Sequence, residues 1–443
     1  TGASDAITVG VNEATSATLK ATAIETVNLV LSTTDTDIAE STLTVTALNA
    51  STINVTGADA DVGHTLALGT LDTSTTTLDG SGYKGVLSAT AGSATATTFN
   101  LAGTAINDVT GSTGTDTFTV AKTSVNQNVD GGTGTDTLNM ELGGTVVATN
   151  IANFEVYNLS VTGSAAGVFT VATGTGINDN DTTTVNVTGG NSISTLAIGG
   201  AMGAGGASAN AIGIAGGTEA TGLTAINAAT FDGAVTLTFG DRVLDTNLTV
   251  TGGTTASDVV NATYLAATDI IKMSAVETFN IQADATASLD LSNVTGLTRV
   301  NVDDDNSVAA TTLTDLGDSI KVGLTTGAAS SSVVIDLLNK TATDNAQTVE
   351  LTTIVGTADI DATDIETLTL DVKGTSLMSL DGLSMTTANA TSSLTVIGAG
   401  ALTVSALHAD VTTIDASGMS TGGSITQTGR SATAASTSTG SAG

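Results

Sequence analysis

A short strand carrying a glutamate returns four times: residues 24–31 read IETVNLVL, 154–161 FEVYNLSV, 276–283 VETFNIQA and 365–372 IETLTLDV. An aspartate precedes each glutamate at a near-constant distance. Asp5 precedes Glu25 by 20 residues, Asp136 precedes Glu155 by 19, Asp258 precedes Glu277 by 19 and Asp344 precedes Glu366 by 22. A unit of about 20 residues is too small to close a core of its own, so it must stack on its neighbours. Within the units the apolar residues alternate, as in Leu-x-Val and Ile-x-Val, which is the period of a strand with one buried face. The pattern therefore predicts an all-β chain wound as a β-solenoid of parallel, β-helix-like coils. A row of tandem β-sandwich domains would use the same short strands and is the alternative.

A second outline recurs at residues 43–57, 289–303 and 402–417: an alternating strand, a turn, and another short strand ending near Asn, Asp or Gly. The repeats divide the chain into regions 1–130, 131–251, 252–343 and 344–429, with a flexible tail over 430–443. A Gly/Ala-rich stretch near 196–230 reads either as a flexible insertion or as tightly wound coils. Aromatic residues make up 2% of the chain and proline is absent. The core must then be built from Ala, Val, Leu and Ile, which suit a narrow stacked sheet, and no proline interrupts strand pairing. The helical signal over 314–324 is too short to matter. The opening TGASDAITV resembles the end of a glycine–aspartate loop, and the expectation is that these residues are part of a longer chain.

Charge bounds the partners. Ten Lys and Arg against 43 Asp and Glu give a formal net charge of −33. Such a chain cannot neutralise a phosphate backbone, so nucleic acid is excluded as a partner, as is an anionic membrane surface. No apolar run is long enough to span a bilayer. A compact body of this charge repels itself and calls for counter-ions. Cysteine is absent, which excludes disulfides and thiolate metal sites. His64 and His408 are the only histidines, and neither lies in a catalytic motif. A solenoid lyase would need basic residues and sugar-stacking aromatics, and three arginines with three tyrosines are thin material for that. The expectation is a protein that is not an enzyme.

The chemistry that remains is in two near-copies of one loop, GSTGTDTFT from Gly111 and GGTGTDTLN from Gly131. Glycines permit crowded or left-handed backbone, so several carbonyls can turn inward while one Asp adds a carboxylate. Calcium takes six to eight hard oxygens of this kind in irregular geometry, and two neighbouring loops would share a shell. A plain glycine–aspartate hairpin turn is the ordinary alternative. A looser copy runs from Gly252 to Val260, with Asp258 displaced by one residue. Paired aspartates at 35/37, 59/61, 179/181 and 359/361 read as solvated turns or as further cation sites. Asp303, Asp304 and Asp305 lie side by side and repel one another unless a cation sits among them. The candidate metal ligands are Asp108, Gly111, Gly114, Asp116, Asp130, Gly131, Gly132, Gly134, Asp136, Asp258, Asp303, Asp304 and Asp305.

These loops resemble the RTX nonapeptide repeat, glycine-glycine-x-glycine-x-aspartate-x-hydrophobic-x, which winds into a calcium-filled parallel β-roll. Gly131–Asn139 matches throughout; the first copy has Ser112 at the second glycine, and the two copies start 20 residues apart rather than a multiple of nine. That departure points to isolated calcium sites instead of a regular ladder. With the Thr/Ala/Gly/Val richness and acidic balance, the chain resembles bacterial surface-layer proteins of the RTX type. The resemblance implies Ca²⁺ as cofactor, type I secretion through a C-terminal signal, an extracellular location at the cell surface, and self-assembly into a lattice or filament. A cell-surface polysaccharide is a second candidate partner. The expected secretion signal is not evident in the final residues. An RTX-type adhesin is the alternative function. An ice-binding solenoid is the third, on Thr-x-Thr runs such as TDTFTV and TTTVNV; ice binding needs those pairs in register on one face, and their spacing along the sequence is irregular.

Overall fold

Every described strand pairing in the computed structural model is parallel, and no helix occurs among the described residues. The structure describes residues 4–11, 16–20, 23–31, 41–45, 50–57, 65–92, 96–123, 126–148, 150–161, 166–171, 184–189, 195–200, 225–231, 234–239, 244, 248–254, 257–264, 267–283, 286–304, 310–326, 330–341, 344–354, 357–373, 377–386, 392–429 and 437–440. The chain divides into two compact units, the first formed mainly by residues 1–216 and 220–238, the second mainly by 239–252 and 256–443. Each is a parallel β-solenoid in which a strand pairs with the equivalent strand one coil later. Parallel stacking of this kind excludes tandem sandwiches, whose strands pair antiparallel. The stretch 314–324 that carried a weak helical signal falls in strands Ala310–Leu316 and Lys321–Thr326 and the turn between them.

In the first unit, strand Ala6–Val11 pairs with Thr26–Leu31, which pairs with Thr52–Gly57, and the stack continues through Thr77–Tyr83, Thr98–Leu101, Thr117–Thr123, Thr137–Leu142 and Val156–Val161. Alternation then fixes the core. Val27, Ile53, Leu78, Phe99, Phe118, Leu138 and Tyr157 occupy one register position and are all fully buried. Four of the ten aromatic residues meet here. Phe99 and Phe118 stack with ring centroids 4.4 Å apart, and Phe154 meets Phe118 edge-on at 5.1 Å. Offset and edge-on contacts of this kind add to the area they bury. A second sheet, including Thr65–Thr70, Val86–Thr90, Asp108–Thr110 and Asn128–Asp130, closes the coils on another side.

The second unit alternates two parallel stacks. One runs through Ala267–Ser274, Ala287–Thr295 and Ala310–Leu316, the other through Thr278–Ala283, Arg299–Asp304 and Lys321–Thr326. Its core combines aliphatic side chains, with Val300, Leu313, Val322, Ile335, Leu368 and Val396 fully buried, and the buried rings of Phe239 and Phe279. Half-exposed aspartates are tied into Asx turns: Asp72, Asp79, Asp290 and Asp415 each accept the N–H of the residue two places on.

Candidate metal centre

The aspartate loops and the glutamate strands, separate motifs in the sequence, occupy one corner of the coil. The backbone N–H of Asp5 donates to the Glu25 carboxylate at 2.7 Å, and the N–H groups of Glu25 and Thr26 both donate back to the Asp5 carbonyl oxygen. Asp258 and Glu277 repeat this clamp, with the Asp258 N–H 2.9 Å from the carboxylate. So do Asp136 and Glu155. In the fourth copy the partner of Glu366 is Asn345, at 3.0 Å, not Asp344. The spacing there is 21 residues, which brings it closer to the other three.

In the glycine loops an aspartate replaces the glutamate of the clamp. The Thr97 N–H donates to Asp116 Oδ1 at 2.6 Å, and the Asp116 N–H donates to Asp136 Oδ1 at 2.6 Å. Thr97, Asp116, Asp136 and Glu155 thus form one column in which each carboxylate accepts the amide of the coil before. An aspartate is shorter than a glutamate by one methylene, so its backbone must come closer. The glycines permit that approach. A Cβ on Gly111 would lie 2.0 Å from the Gly131 carbonyl oxygen and 2.8 Å from Asp116 Oδ2. A Cβ on Gly131 would lie 2.0 Å from the Asn153 carbonyl oxygen, and Gly132 and Gly134 have φ of +96° and +142°. Gly252 stands in the same relation to Asp258, its Cβ position 2.7 Å from Oδ2. The one-residue displacement of Asp258 in the sequence leaves the carboxylate in the equivalent place.

The two loop aspartates differ in what surrounds their second oxygen. Both residues are fully buried. Asp116 Oδ2 accepts the Ser112 N–H at 2.5 Å and the Ser112 hydroxyl at 2.8 Å. Three protein donors therefore occupy this carboxylate. In the next loop Gly132 stands where Ser112 stood, and its N–H turns to Asp130 Oδ1 at 2.9 Å. Asp136 Oδ2 is left buried without a hydrogen-bond partner. Burial pushes the Asp136 carboxyl up to about 6; the hydrogen bond from the Asp116 amide opposes this, and the neighbouring charges of Asp116, Glu155 and Asp130 reinforce it. An uncommitted buried carboxylate oxygen with three carboxylates around it is an electrostatic demand for a cation or a proton.

The other sequence candidates are dispersed. Asp130 lies at the end of strand Asn128–Asp130 and also accepts the Asn153 side-chain amide at 2.7 Å. Asp108 is exposed and takes the Asn128 amide at 2.5 Å. Gly114 donates its N–H to the Ser112 hydroxyl at 2.9 Å. Asp303 and Asp304 end strand Arg299–Asp304, with Asp303 exposed. Asp305 lies outside the described residues, as do the pairs 35/37, 59/61 and 179/181, His64, Arg242 and Arg430. Asp359 and Asp361 flank an open depression of about 360 Å³ that also takes in His408, whose Nδ1 lies 3.5 Å from Asp410 Oδ2. Among the described residues no group of three or more His, Asp or Glu side chains converges at metal-binding distance.

Sequence reasoning missed one cluster of the second unit. Arg299 donates from Nη1 to Glu350 Oε2 at 2.6 Å across two coils, and from Nε to Asn301 Oδ1 at 2.6 Å. The lack of a side chain on the intervening Gly323 opens the path: a Cβ there would lie 2.8 Å from Arg299 Nη2. Burial pushes the Glu350 carboxyl up, but the Arg299 hydrogen bond and the charges of Arg299, Lys373 and Lys321 outweigh it and hold the group below its usual value. Comparison of the chain with protein-family models, with curated proteins and with solved structures gave no match.

Proposed function

We propose that this chain is a structural subunit of an extracellular bacterial coat, a surface layer or filament of the RTX, type I-secreted kind that assembles in dependence on calcium. The observation that carries the reading is Asp136 Oδ2, a buried and unpartnered carboxylate oxygen in a chain of net charge −33. Asp136 would take the ion through Oδ2, in a field made negative by Asp116, Glu155 and Asp130, and the ion would supply the positive charge that this column lacks. Asp116 stays a structural acceptor. Exposed carboxylates elsewhere would share calcium between neighbouring subunits, which otherwise repel. The stacked coils supply a stiff body, and the role is mechanical, not catalytic. Electron microscopy of the purified protein with calcium and after chelation tests this. Sheets or filaments that disperse on chelation are expected. Single particles in both conditions would overturn the reading, and single particles that bind a ligand through one end would favour an adhesin.

A further inference from the structure

The outer face of the main sheet of the first unit carries two straight ranks of side chains. Thr26, Thr52, Thr77, Thr98, Thr117 and Thr137 share one register position over six consecutive strands. Two residues on, and so on the same face, Asn28, Asn54, Asp79, Asn100, Thr119 and Asn139 share another. The second rank continues through Asn158 and Asn186, where Val156 interrupts the first and Thr184 restores it. The intervals along the chain vary: 26 residues separate Thr26 from Thr52, and 19 separate Thr98 from Thr117. Loops of different length hide the regularity from the sequence, and the second rank is asparagine, not threonine.

The ranks are rigid. Parallel strands hold successive members about 4.8 Å apart, and the two ranks stand about 6.7 Å from each other along each strand. Threonine is stiff at χ1. The asparagines lock one another: Asn54 Nδ2 donates to Asn28 Oδ1 at 2.8 Å, Asn158 to Asn139 at 2.7 Å and Asn186 to Asn158 at 2.7 Å. Each such bond fixes the amide plane and leaves a second N–H and a second lone pair for solvent. The sheet irregularities between Asn54 and Thr56 and between Val120 and Thr123 fall beyond the ranks, so both stay in step. The rank members of strands Thr26–Leu31 to Thr137–Leu142 are half-exposed, apart from Thr119, which is exposed. Asp79 is the single charged residue among these twelve positions, in a chain with 43 carboxylates.

We infer that this Thr/Asn face binds crystalline water. A face with one charge in twelve positions favours an uncharged partner. The partner must repeat at the strand spacing and offer a donor or acceptor at every step, as an ice lattice does. Aromatic platforms of the kind that stack sugars are absent from both ranks, which argues against a glycan. Ordered waters bound between two protein polar groups cost little entropy when those groups are already fixed, and here the side-chain ordering is completed on folding. This inference stands apart from the coat reading, since it uses neither calcium nor self-association.

The test measures thermal hysteresis and inhibition of ice recrystallisation by the whole chain. Three variants accompany it, each checked for fold by circular dichroism. Thr98→Arg puts a charge in the middle of the threonine rank; Ser88→Arg makes the same change on the other sheet of the unit; Asp79→Asn completes the asparagine rank. The expected result is activity in the wild type, its loss in Thr98→Arg, its retention in Ser88→Arg, and an increase in Asp79→Asn. A wild type without either activity overturns the inference, as does a Thr98→Arg variant as active as the wild type. A Thr98→Arg change that alters particle mass in wild-type protein lacking ice activity would assign the face to a second copy instead.

Discussion

The amide of Asp116 donates to the carboxylate of Asp136 in the next coil, 2.6 Å away, while the amide of Thr137 donates back to the Asp116 carbonyl oxygen at 2.9 Å. This reciprocal pair joins neighbouring coils at their most crowded corner. It commits Asp136 Oδ1 to the backbone and leaves Oδ2 without a hydrogen-bond partner. The same exchange with glutamate recurs at Asp5/Glu25, Asp258/Glu277 and Asn345/Glu366, so one contact organises both units.

Removing the acceptor leaves buried amides without partners. Hydrogen bonds to a charged group are worth roughly 1.5–3 kcal/mol each. Asp116→Ala deletes the acceptor for Thr97, Ser112 N–H and the Ser112 hydroxyl, and should destabilise the unit by about 3–5 kcal/mol, with faster hydrogen exchange at Thr97 and Ser112. Asp72→Ala, which removes an exposed Asx turn to Ser74, should change stability by less than about 1 kcal/mol. Denaturation monitored by circular dichroism, with exchange by mass spectrometry, separates the two.

Glycine substitutions should track the space at each position. Gly131→Ala places a Cβ 2.0 Å from the Asn153 carbonyl oxygen and should open the corner, whereas nothing lies within 4 Å of a Cβ on Gly10. Gly10→Ala should be neutral or slightly stabilising, because it restricts the unfolded chain. Comparison of the two melting curves checks this.

The pH dependence of Asp136 has a definite sign. Its folded value of about 6 lies above the ordinary 3.8, so the folded state holds a proton that the unfolded state releases between those values. The contribution to stability is full below about 3.8 and is lost as pH rises through about 6. In calcium-free solution the wild type should therefore lose stability over this window relative to Asp136→Asn. Parallel thermal melts from pH 4 to 7 measure the difference, and curves that run parallel throughout would contradict the assignment.

Glu350 should behave in the opposite sense. Its folded value is held below 4.5, so its contribution is present above that value and lost as pH falls through the depressed one. Arg299→Ala leaves a carboxylate whose side chain is 10% exposed without its close partner, and should cost about 3 kcal/mol at neutral pH and less in acid. Lys321→Ala, whose side chain is 58% exposed and sits 3.8 Å from Glu350, should cost under about 1 kcal/mol.

The coil and its clamp were legible in the sequence because the Asp–Glu spacing is the length of one turn of the chain, and alternating apolar residues gave the buried face. The one-residue shift from Asp344 to Asn345 was not, since either residue suits a turn and only the reach of Glu366 decides. The role of Asp116 was hidden for a different reason: its partners are backbone amides of the coil before and a hydroxyl that replaces a motif glycine. The Arg299–Glu350 pair spans 51 residues and depends on the absence of a side chain at Gly323, which no local pattern reports. The Thr/Asn ranks were obscured by loops of unequal length, although each threonine of the first rank from Thr26 to Thr137 opens its strand.

The most direct measurement of the central claim is a calcium titration of the purified chain followed by calorimetry and light scattering, with Asp136→Ala and Asp72→Ala alongside. The account predicts saturable binding by the wild type, growth of large particles that a chelator reverses, and weaker binding in Asp136→Ala but not in Asp72→Ala. A wild type that takes up no calcium and remains as single particles through a large excess of the ion would contradict it.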